Sequence, residues 1–461
     1  MNYTILPKKN YIPTLVSSKK DVNAHDRTIK KISPSVQYYC EDIRKQLEGM
    51  KCELFSENPY FSKKIDKIIN IYEYLFSRVC GTAFSVSKLK PTNPYFYVFF
   101  ELLHSFVVVD YLSEKKMDVI LFTSSNETFI DCLTILREDY NDSYYSFNLS
   151  FTQNEVSVKI HNNSIDFLYF DLMDGVFESE NNFFMNDINE NSSNFNNYVV
   201  NCIAALYNTI LYQKYQGIAI LKFDIIIHKP ILDIIYLYTC FFEKISIVKP
   251  LTSNLISNKR FLICKQYKFD SPNYDFLQRL HELTKLNTKT TLLSIELPCY
   301  FLNKIEESNI SIGYQQIEQM NLIISLIKNK NKEEKLENIR KANIQKCVQW
   351  CEKHKIPHNK FLEKNNIFLP EQKETIIENI DEYEDTDEYL DKVINNHHDN
   401  GSHFEGKNQY DFNKEINENS KVFAYNNENA SDVDLFYANR ILEEQINMGI
   451  DEYLYHPSLY I

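Results

Sequence analysis

The sequence predicts a mixed α/β protein: a doubly wound, mostly parallel sheet with an antiparallel edge hairpin, extended by helices at both ends. Three observations lead there. Short apolar runs alternate with segments whose apolar residues recur at helical spacing. The run IDFLYF at 165–170 is almost unbroken, as suits a strand covered on both faces. Two strands close the alternation across a loop containing Pro and Ser, which implies an antiparallel return.

Taken in order, the body is expected to begin with helices at 36–48 and 60–79. Residues 93–110 form the clearest amphipathic helix, with Phe96, Phe99, Phe100, Leu103, Phe106 and Val107 on one side. A strand at 117–122 and a helix at 127–138 follow. Strands are expected at 145–149, 156–160 and 165–170, the last ending in Asp171. After an Asn-rich loop at 186–197 comes a helix through Val199, Cys202, Ile203, Leu206 and Ile210. Gly217 then opens a strand at 218–221 that ends in Lys222. A helix at 229–242 and strands at 245–248 and 261–264 complete the sheet. Residues 271–355 read as helical, with apolar spacing at Ile317, Met320, Ile323, Ile324 and Ile327.

Composition narrows the function classes. The 461 residues include 8 Gly, at 49, 81, 175, 217, 313, 401, 406 and 449, about a quarter of the usual share of roughly 7%. No two stand close enough for a GxGxxG turn or a kinase glycine loop. The 10 Cys follow no disulfide framework, the first residues carry no signal pattern, and no stretch reaches the roughly 18 apolar residues of a membrane span. A reducing, cytoplasmic setting with free thiols and no membrane contact is therefore expected. Net charge is −13, unevenly spread. Residues 371–461 hold 22 acidic and 6 basic side chains, whereas 1–370 hold 41 and 44, a net of +3. The acidic segment reads as a mostly disordered tail, with a short helix near 432–448.

In a doubly wound sheet, ligands sit beyond the carboxyl ends of the strands. Asp171 and Lys222 both end apolar strands there. If those strands are neighbours, about 4.8 Å apart, the two side chains can share one site. A lysine beside a carboxylate can act as a base or orient a hydroxyl; a plain ion pair is the simpler alternative.

From this point the residues resemble a family. Lys222, a helix ending Cys240-Phe241-Phe242, and then Ile245-Ser246-Ile247-Val248-Lys249-Pro250-Leu251-Thr252-Ser253 resemble the end of the FtsJ-like (RrmJ-type) RNA 2′-O-ribose methyltransferases. Phe261-Leu262-Ile263-Cys264 matches that family's returning strand, and Phe167-Leu168-Tyr169-Phe170-Asp171 its strand ending in a catalytic Asp. The similarity is greatest to the divergent members of large cytoplasmic DNA viruses. It covers about 60–270 and implies a Rossmann-like methyltransferase domain there. An N-terminal lead would occupy 1–59, a helical extension 271–370 and the acidic tail 371–461.

The resemblance implies catalytic roles for Asp171 and Lys222, the second and third members of a Lys-Asp-Lys-Glu set, and S-adenosylmethionine as donor. The first Lys should lie near position 98, where this chain has Val98, and the final Glu near position 259, where it has Lys259. The donor loop, with its Gly-Gly turn, falls on Ser124-Ser125-Asn126-Glu127-Thr128-Phe129. Asn126, Glu127 and Thr128 are thus a degenerate donor site, expected in backbone conformations that suit glycine. Lys259 is expected to lower the pKa of Lys222. Together these departures imply a degenerate homologue that binds RNA or a protein partner, in the cytoplasm, a viral factory or the virion. The alternatives are an active cap-type methyltransferase with a rebuilt donor site, and a protein-interaction module working through the acidic tail.

Two further patterns stand out in the sequence. Cys347, Cys351, His354 and His358 form C-x3-C-x2-H-x3-H, but the spacing lacks the usual zinc gap and Pro357 breaks the helix, so core packing is expected and no metal. The basic cluster at 328–346 is interleaved with Glu333, Glu334 and Glu337. It reads as a solvated helix face with pairs such as Lys330–Glu334 and Glu337–Lys341, or else as an RNA-backbone contact.

Overall fold

The computed structural model describes residues 2–15, 31–57, 65, 67–80, 82–106, 116–123, 126–138, 140–149, 160–173, 193–284, 291–329 and 332–359. All lie in one unit, Met1–Phe368. The acidic tail, the helix expected at 432–448 and most of the strand expected at 156–160 fall outside the described residues; Ile160 itself is in no strand.

Seven strands build one sheet: β1 (Asn2–Leu6), β2 (Asp118–Phe122), β3 (Ser143–Phe147), β4 (Ile165–Asp171), β5 (Gln213–Phe223), β6 (Phe242–Lys249) and β7 (Arg260–Tyr267). Their order is β1-β6-β7-β5-β4-β2-β3. The pairs β2/β3, β2/β4 and β4/β5 are parallel, while β7 runs antiparallel between β5 and β6. Five strands therefore point one way, and the mixed α/β architecture is as expected and compatible with a Rossmann-like sheet. The closing hairpin is not the edge, however. The chain opens with a strand rather than a helix, and β1 pairs antiparallel outside β6, Asn2 opposite Lys249. Five residues are too few for a clear period-2 signal, and the partner strand lies some 240 residues away.

Helices accompany the sheet: α1 (Pro34–Glu57), α2 (Tyr95–Ser105), α3 (Glu127–Leu136), α4 (Ser193–Tyr212), α5 (Lys229–Phe241), α6 (Tyr274–Thr284), α7 (Cys299–Lys328) and α8 (Glu333–Lys353). Helices α4 and α5 bury one face of the sheet through Leu168, Phe170, Ala219, Leu221, Leu262 and Cys264. Helices α2 and α3 cover the other, where Phe99 meets Phe129 and Tyr169 edge to face at 4.8 and 5.5 Å. The helix expected over 60–79 does not run through. The Asn70 side chain accepts from the Tyr72 N–H, and a 3-10 turn at Glu73–Leu75 follows. Helices α1 and α7, from the two extensions, pack together around Cys40, Leu47, Leu54, Met320, Ile323 and Ile327. No helix among the described residues is long and apolar enough to cross a membrane.

Strand β5 starts at Gln213, four residues before Gly217. Its pairing with β4 jumps from Ile165↔Gln213 to Phe167↔Ile218, so β5 carries three extra residues in a bulge. Gln216 takes φ 63°, and the Gln213 amide donates to the Ile165 and Asp166 carbonyls. A Cβ on Gly217 would stand 2.9 Å from the Asp166 and Lys214 carbonyl oxygens. Glycine is needed here for close approach inside the bulge, not to open the strand.

Candidate functional site

The bulge decides the site. Extended unbroken from Ile165↔Gln213, the register would set Asp171 opposite Ala219. The three extra residues set it opposite Lys222 instead. Paired residues share a sheet face, so both side chains lie under α2. Lys222 Nζ donates to Asp171 Oδ2 at 2.6 Å, and Asp171 Oδ1 accepts from the Met173 N–H at 3.1 Å. The side chains are 5% and 12% exposed. The ammonium also lies 5.2 Å from the ring centre of Tyr95, at the first turn of α2. Burial alone would lower the Lys222 pKa, but Asp171, with Tyr169 and Tyr95, outweighs it and the net shift is upward. The group is therefore a persistent ammonium that can orient or hydrogen-bond a hydroxyl or oxyanion. It is not a neutral base at ordinary pH.

The remaining predicted positions do other things. Val98 is buried within α2, between Tyr97 and Phe99 in an aromatic layer. Lys259 precedes β7, whereas Lys222 pairs with Phe261. The charge of Lys259 bears on Lys249, so the expected lowering of the Lys222 pKa is replaced by a rise that Asp171 causes. Asn126, Glu127 and Thr128 follow β2, the strand beside β4, and so stand at the same sheet edge as Asp171. They are unstrained, contrary to expectation. Asn126 has φ −82° and ψ −29°, and its carbonyl accepts from the Phe129 and Ile130 N–H groups to start α3. Glu127 is exposed and Thr128 buried. An ordinary helical first turn replaces the bare backbone that a closely approaching donor needs, so these residues do not fit S-adenosylmethionine in the family's manner. Ser124 and Ser125 lie outside the described residues.

The Lys-Pro hairpin is built around a buried cation. Lys249 Nζ donates to the carbonyls of Asn254, Ser257 and Lys259 at 2.7–2.8 Å. Burial pushes its pKa well down. Ser253 Oγ donates to the Pro250 carbonyl. The loop is tied to α2 by Glu101, 1% exposed, which accepts from the Leu251 and Thr252 N–H groups and the Thr252 hydroxyl. Sequence reasoning gave no role to Tyr95 or Glu101. For Glu101 a signal existed: it is the lone charge in the run Phe96–Leu103, and a carboxylate there must find donors.

Cys347 and Cys351 are core thiols. Cys347 Sγ approaches the Ile71 carbonyl, and burial pushes the Cys351 thiol up to about 12. His354 meets His104, Nδ1 to Nδ1, at 3.2 Å and packs on Trp350, while His358 leaves the helix and bridges to Ser87. No group of three or more His, Cys, Asp and Glu among the described residues could hold a metal ion. In the basic cluster, Glu337 pairs with Arg340; Lys330 lies outside the described residues. No protein-family model and no curated protein matches the chain.

Proposed function

We propose that the chain is a degenerate homologue of the FtsJ-like RNA 2′-O-ribose methyltransferases, acting as an RNA- or partner-binding subunit rather than as an enzyme. One observation carries this reading. Asp171 and Lys222 meet at the carboxyl ends of neighbouring strands, 2.6 Å apart and nearly closed to solvent, while Val98 is packed in the core and Asn126–Thr128 open a helix. The strand order supports it, with an antiparallel β7 inserted between β5 and β6. So do Val98 in the core, a lysine in place of the final carboxylate, and the helical turn at Asn126–Thr128. Lys222 is held as an ammonium, which further opposes its use as a proton acceptor.

The retained pair also favours a second reading, an active methyltransferase with Lys222 as the base and Asp171 as its orienting partner. Methyl transfer from labelled S-adenosylmethionine to a short capped RNA separates the two, with Lys222→Ala as control. The first reading expects no transfer, no micromolar donor binding by calorimetry, and salt-sensitive RNA binding or partner capture. Transfer that disappears in Lys222→Ala overturns it. Absence of both transfer and RNA binding leaves a protein-interaction module.

A further inference from the structure

The Asp171–Lys222 pair stands at a strand end, yet its side chains are nearly closed to solvent. Helix α2 shows what lies over it. The helix is buried from Phe96 to Leu103, and Tyr95, just before that run, is half-buried. The Tyr95 ring centre is 5.2 Å from Lys222 Nζ, a distance at which an aromatic face attracts an ammonium. The ring therefore stands between the ammonium and the exposed start of the helix.

Tyr95 is the outer member of an aromatic layer. Its ring meets Phe99, tilted, at 6.4 Å, and Phe99 in turn meets Phe129, Tyr169 and Phe261. Among the described residues the Tyr95 hydroxyl has no hydrogen bond. The backbone beneath the ring is fixed: the Tyr95 N–H donates to Asn93 Oδ1 at 2.9 Å, and Pro94 precedes it. Movement is left to the side-chain torsions, which pass between staggered wells without disturbing the helix. The pair has one donor group, the ammonium, because a carboxylate only accepts. An incoming hydroxyl oxygen or oxyanion has to meet that ammonium, the group beside which the ring lies.

We infer that Tyr95 is a gate over the Asp171–Lys222 site: with its ring in place the pair is shut, and a ligand bearing a hydroxyl or an oxyanion reaches the ammonium only when the ring turns out. The ligand role rests on the reading of the pair given above, whereas access to the pair is measured without methyl donor or RNA. Asp171→Cys in the full chain sets a thiol beside the Lys222 ammonium, which favours the reactive thiolate. Methyl methanethiosulfonate then reports access, and peptide mass spectrometry separates the introduced thiol from the native ones. Cys202 and Cys264, both fully buried, report general loosening. Tyr95→Ala should speed modification of the introduced thiol by about tenfold or more, while Tyr95→Phe leaves it slow and Cys202 and Cys264 stay protected. Where Asp171→Cys does not fold, isotope-labelled lysine in the chain with the pair intact takes its place. Tyr95→Ala should then quicken exchange of the Lys222 ammonium protons with water by a similar factor, the signal being assigned by its loss in Lys222→Met. Rates that do not change when the ring is removed, a thiol that reacts as fast as the exposed Cys299 with the ring in place, or a rise shared by Cys202 and Cys264 overturns the gate. Absence of RNA binding with the gate intact counts against the proposed function alone.

Discussion

At the scale of single residues, Asp171 and Lys222 stabilise each other but are costly alone. Asp171→Ala removes the carboxylate to which an ammonium only 5% exposed donates. That should cost about 3–5 kcal/mol in urea unfolding at pH 7. Replacing both, as Asp171→Ala with Lys222→Met, should restore most of the loss, because the desolvated charge goes too. Equal losses in the single and double variants would refute the pairing. The Lys222 pKa is raised in the fold, so its contribution is complete at neutral pH and fades only in strong alkali. His354 behaves oppositely. Burial first, then His104 and Lys353, lower its pKa to about 3. The unfolded chain therefore binds the extra proton, and stability falls as pH drops from about 6.5 toward 3. His354→Gln should flatten that decline by about 1–2 kcal/mol between pH 7 and 5, read as urea midpoints at each pH.

At the scale of elements, two glycines mark where backbones come closest. A Cβ on Gly313 would meet Val36 Cγ1 at 2.3 Å, so the Val36 side chain would have to move or α1 and α7 to part. Gly313→Ala should cost about 1–3 kcal/mol, and Val36→Ala should recover most of it, a coupling that a double-mutant cycle measures. Gly217 lies in the bulge that brings Asp171 opposite Lys222. Gly217→Val should destabilise the β4/β5 pairing and speed amide exchange at 165–171 and 213–223, beyond what α7 or α8 show. The hairpin after β6 depends on Lys249 in a comparable way. Lys249→Met strands three carbonyls and should cost about 3 kcal/mol or more, with faster exchange confined to 250–260.

At the scale of the whole molecule, charge separates the two parts of the chain. Met1–Phe368 carries a net +3, and the segment after it holds the acidic excess. Ending the chain at Phe368 should therefore strengthen RNA binding and steepen its salt dependence, read as the slope of log affinity against log salt. Unchanged affinity and slope would remove the electrostatic argument for RNA.

The sequence by itself determined the alternation of strands and helices, the aromatic face of α2, and the placing of Asp171 and Lys222 at strand ends. Each is written locally, in apolar spacing and in where an apolar run stops. Only the tertiary structure decided that β1 forms the edge, that β7 lies inside the sheet, and that α1 meets α7. These pairings join residues hundreds of positions apart, and no local period encodes them. It also decided that the polar pair meets at all. Strand periodicity places a side chain on a face, but the register between β4 and β5 depends on a three-residue bulge, and a single-step slip would send Lys222 to the other side. The same limit hid what Lys249 and Arg260 do: from the sequence each is a charge near a turn, and only packing shows that each is buried and what it holds.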